Sequence, residues 1–122
     1  MVRVLIYLAA VMTLFACSER PVEPEFADTA EVQAFMADAA AVARGQAIFE
    51  GSCASFCHAN ELEASFLFDC QWNQGSRDQD IFNTITSGVA NTRMVGFGSN
   101  FPEGDDDLWK VIAYLRSNQQ AC

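Results

Sequence analysis

The chain has 122 residues, with 7 basic and 16 acidic side chains and one histidine, giving a formal net charge of −9 at pH 7. This balance excludes electrostatic binding of nucleic acid or of anionic lipid, since both need clustered Lys and Arg. It suits a soluble partner with a basic docking patch, and equally a general need for solubility.

Residues 1–16 have the form of a secretory leader. Met1, Val2 and Arg3 make a short positive start, and residues 4–15 are an uncharged apolar run. That run is short for a bilayer span and fits the hydrophobic region of a signal peptide. Leu14, Phe15, Ala16 and Cys17 resemble a bacterial lipobox, in which Cys17 becomes the lipidated first residue. Phe15 is larger than that pattern usually has, so ordinary cleavage stays open. Ser18 after Cys17 leans, by the same resemblance, towards the outer membrane. The expected organisation is a leader at 1–16, a flexible tether at 17–27 holding Pro21 and Pro24, and a folded domain at 28–122. The expected location is the periplasm, with membrane contact only through a lipid anchor.

Asp28 is placed to cap a helix, with Glu31 reaching back three residues later. Residues 29–50 are alanine-rich and helix-prone, but Gly45 interrupts them. A turn or two is expected before Ala41, then the main helix over 41–51. Residues 59–76 lack a clean period and read as loop, with one short helical turn around 61–65. An acidic first turn, Ile81, Phe82 and Ile85 on one face, and Gly88 as a stop predict a helix over 78–87. Residues 89–104 are loop. Three aspartates followed by Leu108, Trp109, Ile112 and Leu115 at helical spacing predict a helix over 105–118. No segment alternates with period two, so the expected fold class is all-α.

The chemistry concentrates in Cys53-Ala54-Ser55-Phe56-Cys57-His58, and His58 is the only histidine. Two thiols followed at once by an imidazole can fix a haem covalently, the thiols adding to its vinyl groups and the imidazole binding its iron. The usual signature has two residues between the cysteines; this one has three. A local disulfide beside a surface histidine, or a metal or redox-thiol site, stays open on the hexapeptide alone. The five cysteines can be assigned without remainder. Cys17 takes lipid, Cys53 and Cys57 take haem, and Cys70 and Cys122 form a disulfide in an oxidising compartment. The alternative for Cys70 is a small buried hydrophobe.

From residue 41 to 117 the chain resembles a single-haem cytochrome c of the small, all-helical class. Three segments carry the resemblance, in the family's order. The first is Arg44-Gly45-Gln46-Ala47-Ile48-Phe49 followed by Cys53, Cys57 and His58. The second is Ile85-Thr86-Ser87-Gly88, then Thr92-Arg93-Met94-Val95-Gly96-Phe97-Gly98. The third is the helix from Asp107 to Ser117. The resemblance implies N- and C-terminal helices crossing around one covalently bound haem c. It implies that Gly45 permits the close crossing, that Phe49 packs beside the haem, and that the second segment carries an axial methionine. Of Met1, Met12, Met36 and Met94, two lie in the leader and Met36 precedes the haem helix, which leaves Met94 opposite His58. Phe49, Leu67, Phe68, Trp72, Ile81, Phe82, Ile85, Phe97 and Trp109 are expected as pocket walls. Trp72 and Arg77 could donate hydrogen bonds to haem propionates.

One departure concerns a proline whose carbonyl commonly accepts the proximal imidazole Nδ1–H. The prolines here are Pro21, Pro24 and Pro102, none between His58 and Met94. Some other carbonyl within residues 59–68 is therefore expected to orient the ring.

The resemblance implies an electron carrier rather than an enzyme, working between a periplasmic dehydrogenase and a downstream oxidase or another cytochrome. Other readings are a copper site built from Cys, His and Met, a thiol–disulfide oxidoreductase, a haem enzyme or gas sensor with a free iron position, and a disulfide-stapled lipoprotein without haem.

Overall fold

A computed structural model describes residues 29–59 and 65–121. The expected leader, lipidation site and tether, the Asp28 cap, the short turn at 61–65 except Ser65, and Cys122 lie outside these residues. The described part is all-helical: α1 (Ala30–Met36), α2 (Ala39–Phe49), a π-helical segment (Glu50–His58), α3 (Asp78–Ser87) and α4 (Asp105–Asn118). Its only ladder pairing is an isolated antiparallel bridge between Gly88 and Val95.

The helix starts follow from capping. The Thr29 hydroxyl accepts the N–H of Val32 at 3.2 Å, and the Asp38 carboxylate accepts those of Ala40 and Ala41 at 2.9 and 3.4 Å. Asp38 divides the alanine-rich stretch, because a side chain that caps one helix competes with continuing another. The break therefore falls at Ala37–Asp38, before Ala41 as expected, and Gly45 lies inside α2. The main helix begins at Ala39, two residues before the expected Ala41. It does not end near Gly51 but passes into the π segment. α3 and α4 occupy the expected residues.

The core forms around α4. Leu108 and Ile112, four residues apart, pack with Val32, Ile81 and Ile85 from α1 and α3. Val111 and Leu115, also four apart, pack with Phe49 of α2. Two adjacent stripes on one helix thus meet different neighbours, as 3.6-residue periodicity requires. Each of these buried side chains contributes about 1.5–3 kcal/mol relative to exposure.

Close approach of α2 and α4 depends on Gly45. A β-carbon there would lie 2.0 Å from the carbonyl oxygen of Lys110. Arg44, the neighbour of that glycine, forms a two-point bond with Asp107, both contacts 2.9 Å. A second ion pair is fully internal. Asp78 accepts from Arg116 Nε at 2.7 Å and from the Thr29 N–H at 2.7 Å, and so joins the starts of α1 and α3 to the end of α4.

Candidate haem site

α2 and the π segment deliver the hexapeptide. A π turn closes i→i+5 bonds and holds roughly one residue more than the 3.6-residue α turn. Cys53 and Cys57, four apart, then fall just short of one turn. Residues three apart in an α-helix do the same. The third spacer residue is therefore wound into the helix, and both thiols stay on its cavity side. The Ser55 hydroxyl donates to the Glu50 carbonyl, which supports the widened winding. Both cysteines are free thiols and half-buried. Burial pushes the Cys53 thiol up to about 11.

α3 and the loop after it deliver Met94. Gly88 ends α3 with φ +71°, a left-handed value that favours glycine. Its absent side chain matters too: a β-carbon would lie 2.6 Å from the Met94 carbonyl oxygen. A β-carbon at Gly96 would lie 2.6 Å from the Thr86 carbonyl oxygen. The loop is pinned by N–H bonds from Val89 to the Met94 carbonyl (3.0 Å), Phe97 to Ile85 (2.9 Å) and Gly98 to Thr86 (3.0 Å). The Met94 N–H donates to the Thr92 hydroxyl at 3.1 Å.

One cavity of about 690 Å³ is lined by Cys53, Cys57, His58 and Met94 together. Its size falls within the ordinary range of cofactor pockets. Leu67, Trp72, Ile81, Ile85, Phe97 and Leu115 add apolar wall. Nothing in the sequence singled out three further lining residues, Phe56, Arg93 and Val95. Among the described residues, Phe56 and Val95 are the large apolar side chains left exposed, at 79 % and 65 %.

Four expected wall residues, Phe49, Phe68, Phe82 and Trp109, do not line the cavity. Phe49 is 2 % exposed and packs edge-on against Phe68 at 5.3 Å, and Phe82 stacks on Trp109 at 4.3 Å. Phe49 and Phe82 each occupy the side of their helix that faces the core around α4. Trp72 lines it, but its indole N–H donates to the Asp69 carbonyl at 3.1 Å, so that donor is already used. Arg77 is exposed at the start of α3 and is not part of the lining.

The carbonyl missing for want of a proline is supplied by Ser65. His58 Nδ1 lies 2.5 Å from the Ser65 carbonyl oxygen, an atom that can only accept. Nδ1 therefore carries the proton, and Nε2 keeps its lone pair for a metal. Among the described residues no three His, Cys, Asp or Glu side chains converge into a metal-holding group. Cys70 is disulfide-bonded. The Gln120 N–H donates to the Phe68 carbonyl at 2.7 Å, and the Gln119 side chain to the Asp69 carbonyl at 3.1 Å, so residues 119–120 lie along the segment before Cys70.

Residues 40–115, more than half of the chain, match the family model described as cytochrome c oxidase, cbb3-type, subunit III. The chain belongs to this family. It is a single-haem c-type cytochrome of the small all-helical class, its cofactor is haem c, and it is an electron-transfer protein. No curated protein and no solved structure matches the chain. The residues present in this cytochrome fit haem c on their own chemistry. Two unpaired thiols, an imidazole with Nε2 available and a thioether border a largely apolar space. The family match spans α2 through most of α4, so it takes in every lining residue.

Proposed function

We propose that the chain is a periplasmic electron carrier in which Cys53 and Cys57 hold the haem by thioether bonds while His58 Nε2 and Met94 Sδ bind its iron. The observation that carries this reading is the convergence of those four side chains on one cavity. Bound haem supplies a one-electron ferrous–ferric couple. With haem bound, His58 and Met94 would hold its iron and the apolar wall would exclude water. The Met94 thioether would favour the ferrous state, and the apolar wall would add to that preference by keeping charge away from solvent.

The same geometry weighs against the rival readings. A binuclear copper centre built on two cysteines and a methionine uses two histidines, and His58 is the only one in the chain. A thiol–disulfide oxidoreductase would place its cysteines on a sheet-containing fold, whereas the described fold is helical.

The electron donor in this proposal is a periplasmic dehydrogenase, and the acceptor an oxidase or another cytochrome. The net charge of −9 favours partners with basic docking patches. Lipid on Cys17 would hold the carrier near membrane enzymes and raise its effective concentration there. No helix among the described residues is long and apolar enough to cross a membrane. The proximity of residues 119–120 to residues 68–69 supports Cys122 as the partner of Cys70.

Redox titration with carbon monoxide as a probe tests the carrier reading. A reversible one-electron couple is expected, with a ferrous form that does not take up carbon monoxide. Ready uptake by the wild-type protein would instead favour a sensor or enzyme with an open iron position.

A further inference from the structure

Ser65 meets the attachment turn at two points. Its carbonyl accepts the His58 Nδ1–H, and its hydroxyl donates to the carbonyl of Cys57 at 2.8 Å. These bonds reach adjacent residues of the π segment, so together they form a clamp with Ser65 on one side and Cys57–His58 on the other. A proline at this place could supply the carbonyl but has no hydroxyl with which to hold its own position.

We propose that the Ser65 hydroxyl is a positioning group for the axial histidine. By tying Ser65 to the Cys57 carbonyl, it keeps the Ser65 carbonyl in line with Nδ1 and thereby fixes both the tautomer and the rotation of the imidazole. The inference rests on His58 binding iron.

The chemistry gives the direction of the effect. A hydrogen bond from Nδ1–H to a carbonyl makes the imidazole a stronger donor to the metal. A stronger donor stabilises ferric iron more than ferrous iron and lowers the potential. Removing the hydroxyl frees Ser65 to turn away, weakens the Nδ1 bond and raises the potential. The ring proton, no longer held, exchanges faster with solvent. A purely structural role for Ser65 would change stability without moving both of these quantities in those directions.

The test uses intact holoprotein in three forms: wild type, Ser65→Ala and Ser65→Thr. Two quantities are read, the midpoint potential and the solvent exchange rate of the His58 ring N–H by NMR. Ser65→Ala should raise the potential and speed exchange about tenfold, as expected for loss of one hydrogen bond. Ser65→Thr, which keeps a hydroxyl, should restore both. An Ala variant that matches wild type in both readouts, or a Thr variant that behaves as Ala does, overturns the proposal. If Ser65→Ala yields no holoprotein, wild type alone decides: a ring proton exchanging as fast as that of free imidazole overturns it, and a protected one supports it. Haem absent from the wild-type protein would defeat the underlying ligand assignment instead, and visible absorption separates that outcome from the others.

Discussion

Gly45 of α2 and Lys110 of α4 sit in direct backbone contact: a β-carbon on the glycine would come within 2.0 Å of the lysine carbonyl oxygen and 2.5 Å of its carbonyl carbon. Backbone atoms of a buried helix cannot step aside as a flexible side chain can. Gly45→Ala must therefore push the two helices apart and loosen the contacts of Phe49 with Val111 and Leu115. A loss of at least about 1–3 kcal/mol is expected in chemical denaturation of the holoprotein, despite the better helix propensity of alanine. A variant as stable as wild type would show that the helices do not cross this closely.

The winding of the π segment makes a second prediction. If the extra spacer residue is taken up by one wider turn, deleting Ser55 should let the segment relax to an ordinary α turn with both thiols still on the cavity side. Haem should remain attached through two thioethers, as read by the pyridine haemochrome spectrum. A single link or none in the shortened protein would mean that the π winding is not what accommodates the third residue.

The boundaries of α3 and α4 were legible because local signals agreed with packing. Each has acidic residues in its first turn and apolar side chains at helical spacing. Gly45 was legible as a close-crossing residue by resemblance, and the break expected before Ala41 falls at Asp38, leaving the glycine inside the helix despite its low propensity. Propensity is local, whereas the reason for this glycine is a contact with a helix 65 positions along the chain. The thiols, imidazole and thioether could be picked out by residue type. The π winding could not, since spacing alone does not reveal residues per turn. Phe49 and Phe82 show the same limit, because periodicity identifies a buried face without saying whether core or cavity lies against it. Ser65 was legible only as one of the carbonyls within residues 59–68: a backbone acceptor does not mark which residue supplies it, and the bond of its hydroxyl to the Cys57 carbonyl left no trace in the sequence.

The Asp78–Arg116 pair predicts where the fold is most fragile. Both side chains are buried, 0 % and 2 % exposed, and Asp78 also accepts the first N–H of the described chain, that of Thr29. Asp78→Ala removes the carboxylate to which Arg116 Nε donates and leaves that buried guanidinium its bonds to Gln119 and the Ser76 carbonyl; this should cost about 3–5 kcal/mol. Urea unfolding monitored by helical circular dichroism measures this. A loss under about 1 kcal/mol would mean that the pair contributes little to holding α1, α3 and α4 together.

Asp107 predicts part of the acid sensitivity. Its hydrogen bonds with Arg44 are the main reason its carboxyl is held below the ordinary carboxylate value, with the Glu103 N–H assisting and burial opposing. A carboxyl depressed in the folded state contributes stability that is fully present above its unfolded pKa, about 3.9, and that is lost as pH falls through the folded value. Asp107→Asn should lower the melting temperature at pH 7 and flatten its decline below about pH 4. Parallel melting curves for variant and wild type across that acid range would contradict the assignment.

Attachment of haem at Cys53 and Cys57 is tested most directly by the mass of denatured protein expressed in the periplasm of cells that make c-type cytochromes. The wild-type polypeptide should retain about 0.6 kDa of porphyrin and iron through unfolding, and the Cys53→Ser, Cys57→Ser double variant should lack it. A wild-type chain at bare polypeptide mass, with both thiols open to alkylation, would contradict the account at its base.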